Sequence, residues 1–91
     1  MAFTILIADD EREMCVSLAE IFTAHGFLPL FATNPLEVLQ IVEKNSIDLV
    51  IMDIRMPQLG GLDLLRLLKA RFGSLPVIMI TGYPSIEFTQ S

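Results

Sequence analysis

The chain has 91 residues, one cysteine and a formal net charge of −5 at pH 7, and 53% of its residues are hydrophobic. This length suits one domain over residues 1–91 and excludes a second. The acidic balance argues against direct contact with nucleic acid, whose phosphate backbone favours lysine and arginine.

The apolar stretches are only a few residues long, far below the roughly 18 that suggest a membrane span, so no membrane association is expected. The N-terminus has neither a basic segment nor a cleavage pattern typical of a secretory signal. Cys15 cannot form an internal disulfide and is predicted to be a small buried side chain. These features predict a cytoplasmic protein.

Short apolar runs rich in Ile and Val alternate with stretches whose apolar residues recur at helical spacing, which predicts a βαβαβαβ order. The first strand is predicted over residues 3–8 and the first helix over residues 11–25, with Gly26 as its left-handed stop. The predicted apolar stripe of this helix consists of Met14, Leu18, Ile21 and Phe22.

The second strand is predicted over residues 27–32, and Pro29 places it at an edge of the sheet because proline lacks a backbone donor. Asn34 then has the character of an N-cap for a helix that continues to about Lys44 and ends at Asn45. The apolar face of this second helix is predicted to contain Leu36, Leu39 and Val42.

A third strand (48–52), a third helix (62–72, ended by Gly73) and a fourth strand (77–80) complete the predicted order. Near-continuous apolar strands and right-handed crossovers predict an α/β fold, a parallel sheet of order 2-1-3-4 covered on both faces.

Acidic residues follow the two strands that this order places at the centre. Asp9 and Asp10 close the first strand, and Asp53 closes the third. The carboxyl ends of parallel strands share one edge, where open α/β folds place their ligands, so the three carboxylates should converge with Thr81 beside them.

Three ionised carboxylates at one point require a counter-charge or a proton. Mg²⁺ fits this chemistry because it takes oxygen ligands and commonly bridges carboxylates to phosphate. Asp53, at the tip of a central strand, is the predicted nucleophile toward a phosphoryl group, and Asp9 and Asp10 are predicted to bind the metal. The Thr81 hydroxyl could contact a phosphoryl oxygen.

Each residue taken alone has a simpler interpretation. Asp9 or Asp10 could cap the following helix, and Asp53 could be an ordinary strand-end acid that accepts backbone hydrogen bonds. Thr81 could start a turn. His25 is expected at a helix C-terminus, where its charge is favourable, rather than as a ligand or base.

Taken together, three segments closely resemble the receiver domain of two-component response regulators. The sequence around Thr81 is most similar to regulators of the nitrogen-regulation type, which activate alternative-sigma-factor transcription. The segments are Ile5-Leu6-Ile7-Ala8-Asp9-Asp10-Glu11, Asp48-Leu49-Val50-Ile51-Met52-Asp53-Ile54-Arg55-Met56-Pro57 with Gly61 beyond, and Val77-Ile78-Met79-Ile80-Thr81-Gly82-Tyr83.

The resemblance implies a flavodoxin-like three-layer sandwich and a role in phosphorelay signalling. It implies that Asp53 accepts phosphate and that Asp9 and Asp10 hold Mg²⁺ together with Asp53. Arg55 would add a main-chain oxygen to the metal, and Thr81 would be the switch hydroxyl. The expected partner is a histidine kinase or a small phosphodonor, with no dedicated enzyme activity beyond self-phosphorylation and slow autodephosphorylation.

The family's lysine and aromatic switch residue on a fifth strand have no counterpart before Ser91, the last residue. The resemblance therefore implies a C-terminally truncated receiver that lacks the fifth strand and fifth helix, with impaired phosphorylation. An uncovered fourth strand, Val77–Ile80, would expose apolar side chains and unpaired backbone groups. We therefore expect a homodimer or higher association through this strand.

Three other functions fit these residues less well. A phosphorylation-independent interaction or dimerisation module is the main alternative. A metal-dependent phosphatase is less favoured because no second acid or base and no Asp-x-Asp motif is present. Dinucleotide binding is least favoured, since no Gly-rich fingerprint follows the first strand.

Overall fold

A computed structural model of the protein describes residues 2–54 and 60–80, which form strands and helices in strict alternation. The strands are β1 (Thr4–Ala8), β2 (Leu28–Ala32), β3 (Leu49–Asp53) and β4 (Val77–Ile80). The helices are α1 (Arg12–Ala24), α2 (Pro35–Lys44) and α3 (Gly61–Arg71). None of the helices in these two ranges combines the length and apolar character needed to cross a membrane.

The strands form one parallel sheet of order β2-β1-β3-β4, which confirms the predicted flavodoxin-like topology. Strand β1 pairs with β2 on one side and with β3 on the other. Among the described strands β2 is outermost, as Pro29 predicted, because a central strand needs every backbone donor. This order places the ends of β1 and β3 side by side.

Alternate residues of β1 point to opposite faces of the sheet and join separate cores. Ile5 and Ile7 pack with α1, whereas Leu6 and Ala8 pack with α2 and α3. Helix α1 therefore covers one face of the sheet and the other two helices cover the opposite face. The largest fully buried side chains of the α2 and α3 layer are Leu6, Val38, Val50, Met52, Leu64 and Leu68.

The buried face of α1 differs from the predicted stripe. Met14 and Ile21 are 42% and 53% exposed, so their assignment to the core was wrong. Leu18 and Phe22 of the predicted stripe do pack on the sheet, and Cys15 joins them. These three follow the i, i+3, i+7 spacing of one helix face. The predicted stripe is rotated about the helix axis relative to the buried face. Met14 and Ile21 were included in it because they also fit helical spacing with Leu18.

Helix α2 begins and ends as predicted. The Asn34 side-chain oxygen accepts a hydrogen bond from the Glu37 backbone N–H at 3.0 Å, and the Asn45 backbone N–H donates to the Ile41 carbonyl at 3.0 Å. Its core contacts come mainly from Val38 and Val42. Leu36, which was predicted to be on this face, is 63% exposed.

The predictions for the end of α1 hold, whereas the one for the end of α3 does not. Gly26 has φ +87°, the left-handed conformation that lets the chain leave α1. His25 is the C-cap of α1, and its Nδ1 lies 2.9 Å from the Ile21 carbonyl oxygen. Helix α3 ends at Arg71 with Phe72 as its C-cap, so Gly73 lies beyond the end and does not itself stop the helix.

Candidate metal and phosphoacceptor site

Asp9 follows β1 directly and continues its pairing with the neighbouring strand. Its backbone N–H donates to the carbonyl oxygen of Ala32, the last residue of β2, at 3.1 Å. The residue is only 5% exposed, although Asp10 beside it is exposed. One acid of the pair is therefore fixed within the edge of the sheet, and the other faces solvent.

Asp53 is the last residue of β3 and is 4% exposed. The register pairs Ala8 with Met52, which places Asp9 and Asp53 at the same level on adjacent strands. On its other side Asp53 is in register with Ile80 of β4. The backbone of two central strands thus brings two buried acids together.

Asp9, Asp10 and Asp53 each offer one carboxylate oxygen, and these oxygens lie within 4.8 Å of one another. Oxygen atoms at this spacing can ligate one hard divalent cation such as Mg²⁺ or Ca²⁺. With ligands from only three carboxylates, several positions remain for water and a substrate oxygen, as is usual for Mg²⁺. The donor set therefore fits the metal that the sequence indicated.

Burial is the largest effect on the Asp9 carboxyl and raises its pKa above 3.8. The hydrogen bond from the Glu11 backbone N–H opposes this shift, whereas the negative charge of Asp53 adds to it. The pKa is raised because a buried anion loses hydration and faces a second anion. A bound cation would remove this cost, so the electrostatics of the site favour metal binding.

Neither aspartate of the pair caps α1. The N-cap of this helix is Glu11, and it makes no side-chain capping hydrogen bond. Asp9 Oδ1 instead accepts a hydrogen bond from the Glu11 backbone N–H at 2.9 Å, the local turn that aspartate commonly stabilises. The simple capping interpretation is therefore wrong for both residues.

Two of the predicted site residues, Arg55 and Thr81, lie outside the described residues. Their proposed roles as a main-chain metal ligand and as a phosphoryl contact stay predictions.

A third element approaches the site in a way that the sequence did not reveal. Cys15 is fully buried, as predicted, and its Sγ lies 3.4 Å from the Asp9 carbonyl oxygen. Burial raises the pKa of this thiol to about 11, so it is protonated at neutral pH. The only sequence signal for this contact is the position of Cys15 early in the helix after the acidic pair.

A cavity of about 560 Å³ lies away from the acids, beside the residues that precede β3 and β4. Its lining includes Asp48, Arg71 and Phe72. It therefore opens at the amino-terminal edge of these strands, opposite the acidic cluster. The candidate site is defined by strand ends and carboxylates rather than by this cavity.

The profile of the response regulator receiver domain family matches residues 5–91, and the chain belongs to this family. The sequence is 34% identical over 86 residues to sporulation initiation phosphotransferase F of Bacillus subtilis, covering 94% of this chain and 69% of that protein. It is 35% identical over 85 residues to the putative response regulator NtrX-like of Rickettsia bellii, covering 91% of this chain and 18% of that protein. The relatives are of several kinds, and a regulator of the nitrogen-regulation type is only one of them.

The fold is similarly matched by solved receiver structures. The response regulator TrrA from Thermotoga maritima, solved in complex with Mg²⁺–BeF, superposes with a TM-score of 0.84 at 30% identity. This match covers 90% of the present chain and 71% of the TrrA chain. A receiver domain from Methanospirillum hungatei gives a TM-score of 0.87 at 29% identity, covering 99% and 72%.

Proposed function

We propose that this chain is a phosphoacceptor module that binds Mg²⁺ and accepts a phosphoryl group on Asp53. The convergence of three carboxylate oxygens within 4.8 Å at the ends of β1 and β3 carries the proposal. Family membership supports it, since receiver domains take phosphate from histidine kinases or small phosphodonors. The phosphotransferase and TrrA relatives agree with this assignment.

Asp9, Asp10 and Asp53 would hold the metal, with Arg55 adding its main-chain oxygen. When bound, Mg²⁺ supplies positive charge next to the oxygens of the incoming phosphoryl group. A carboxylate oxygen of Asp53 then attacks phosphorus, a new O–P bond forms, and the bond between phosphorus and the donor's leaving group breaks. Thr81 is proposed to contact a phosphoryl oxygen.

The Asp53 carboxylate is suited to this attack by its position. It ends a central strand that pairs with β1 on one side and β4 on the other, and Asp53 itself is in register with Ile80 of β4. A fixed nucleophile needs little reorganisation before reaction. The neighbouring strand β1 leads directly into Asp9 and Asp10, the proposed metal-binding acids.

Incubation with acetyl phosphate and Mg²⁺, followed by intact-mass measurement, tests the proposal. We expect the wild-type chain to gain the mass of one phosphoryl group, and Asp53→Asn or added EDTA to prevent it. Asp48→Asn is the matched control, because Asp48 lies at the other end of β3 and its carboxylate accepts from the Thr4 backbone N–H at 2.7 Å. Equal phosphorylation of Asp53→Asn, or none of the wild type, would contradict the proposal.

The proposed setting is the cytoplasm, with a histidine kinase or small phosphodonor as partner and no direct contact with nucleic acid. The alternative of a phosphorylation-independent interaction module is not favoured by the family match. We also propose that the chain acts in transcription regulation and that it is of the nitrogen-regulation type.

Self-association through β4 is a separate prediction. This strand is the outer one on its side among the described strands, and Ile78 at its middle is 50% exposed. Exposed apolar edge strands tend to pair with a second strand. Light scattering should show a mass that rises with protein concentration, and a constant monomer mass would exclude this association.

A further inference from the structure

Three atoms of Asp9 are held by groups from β2 and from the start of α1. Its backbone N–H donates to the Ala32 carbonyl of β2 at 3.1 Å, and its Oδ1 accepts from the Glu11 N–H at 2.9 Å. Its carbonyl oxygen lies 3.4 Å from the Sγ of Cys15 on α1. We call this set of contacts the Asp9 clasp.

Cys15 is the side chain that joins α1 to this clasp. It is fully buried against Ile5 and Ile7, and its Sγ also lies 4.0 Å from the Ala32 carbonyl oxygen. A protonated thiol is a weak donor, and the two carbonyl oxygens are the acceptors within its reach. The thiol therefore bridges the helix to the two strand ends that frame Asp9.

We infer that Cys15 is a positioning residue for Mg²⁺ binding, holding the main chain of Asp9 so that its carboxylate is oriented before the ion arrives. This inference rests on the proposed function. Cys15 does not touch the metal in this account, since the contact runs through the Asp9 carbonyl oxygen.

The physical reason is the cost of ordering a ligand. A carboxylate on a mobile loop loses conformational freedom when it binds an ion, and that loss weakens the affinity. Residues that fix metal ligands from the next layer commonly change metal affinity when replaced. Fixing the backbone on both sides of the Asp9 Cα reduces the freedom that the carboxylate has left to lose.

Two substitutions separate positioning from simple packing. Cys15→Ala removes the donor and one sulfur atom, whereas Cys15→Ser keeps a donor of similar size. Val38→Ala is the control: Val38 is also fully buried, but it belongs to the core on the opposite face of the sheet. It loses more side-chain volume than Cys15→Ala does and leaves the Asp9 clasp intact.

The measurements are Mg²⁺ affinity by calorimetric titration and amide hydrogen exchange of Asp9 and Glu11 by NMR, on the full chain. We expect Cys15→Ala to weaken Mg²⁺ binding about three- to tenfold, the range for loss of one hydrogen bond, and to speed exchange at both amides. Cys15→Ser should stay within about twofold of wild type. Val38→Ala should lower the unfolding temperature without changing either property.

The outcomes are distinguishable. If wild type and all variants bind Mg²⁺ equally, the inference about Cys15 is wrong and the proposed function stands. The inference is also wrong if Val38→Ala weakens binding as much as Cys15→Ala. If wild type itself binds no Mg²⁺, the proposed function fails, and the inference fails with it.

Discussion

Asp53→Asn should stabilise the metal-free protein, although it removes the proposed phosphoacceptor. Two unit charges at 4.8 Å, the upper limit of the separation between these carboxylate oxygens, repel by about 1 kcal/mol in bulk water and about 3.5 kcal/mol at an effective dielectric constant of about 20. Asp9 and Asp53 are 5% and 4% exposed, so their repulsion lies nearer the upper value. We expect the variant to be more stable by about 1–3 kcal/mol, which raises the unfolding temperature by about 4–8 °C per kcal/mol for a domain of this size.

Thermal unfolding at pH 7 in EDTA and again in excess Mg²⁺ measures this effect. Wild type should gain about 2.7 kcal/mol when Mg²⁺ is a hundredfold above its dissociation constant, and Asp53→Asn should lose most of that gain. Asp48→Asn removes the same charge at the opposite end of β3 and should gain no stability in EDTA. The reasoning is refuted if Asp53→Asn is no more stable than wild type in EDTA, or if Mg²⁺ stabilises both equally.

Three further predictions follow from individual residues. Burial chiefly raises the pKa of Asp9, so the contribution of this carboxyl to stability is full below pH 3.8 and is lost as the pH rises through the raised pKa. Urea unfolding in EDTA should therefore show that wild type loses stability relative to Asp9→Asn between pH 4 and 7. Parallel stability curves for the two proteins would contradict this prediction. Burial raises the pKa of Cys15 to about 11. Iodoacetamide at pH 8 should therefore alkylate this thiol slowly in the native protein and quickly in urea. Equal alkylation rates would show that the thiol is accessible in the native protein. Asn34→Ala removes the cap of α2 and should cost about 0.5–2 kcal/mol by urea unfolding, whereas no loss would show that the cap is dispensable.

The topology could be predicted from the sequence because apolar residues are spaced differently along the strands and along the helices. Continuous apolar runs such as Leu49-Val50-Ile51-Met52 indicate buried parallel strands, and Pro29 indicates an outer position. Local capping chemistry also identified both ends of α2. These signals depend on neighbours in sequence, so they need no knowledge of tertiary contacts.

The rotation of α1 about its axis could not be read in the same way. Met14 and Ile21 fit helical spacing with Leu18 and Phe22 as well as Cys15 does, and only contact with the sheet decides which of them is buried. The same ambiguity placed Leu36 on the wrong face of α2. Apolar composition on several faces of a helix leaves the choice to tertiary packing.

The acidic cluster could be predicted because it follows from topology alone. Once β1 and β3 are adjacent and parallel, Asp9 and Asp53 must share one edge of the sheet. The Asp9 clasp could not be predicted, because it depends on the depth at which Cys15 packs and on a carbonyl oxygen of β2. Backbone acceptors leave no trace in the identity of the residues that carry them.

The central claim, that Asp9, Asp10 and Asp53 share one divalent ion, is most directly tested by NMR with Mn²⁺ in place of Mg²⁺. The account predicts selective broadening of the backbone amides of Glu11 and Ile54, which adjoin the acids. The Thr4 amide, about 16 Å away at the other end of β1, should broaden far less, because the effect falls with the sixth power of distance. Broadening centred on Thr4 and its end of the sheet, or none at all at millimolar Mn²⁺, would contradict the claim.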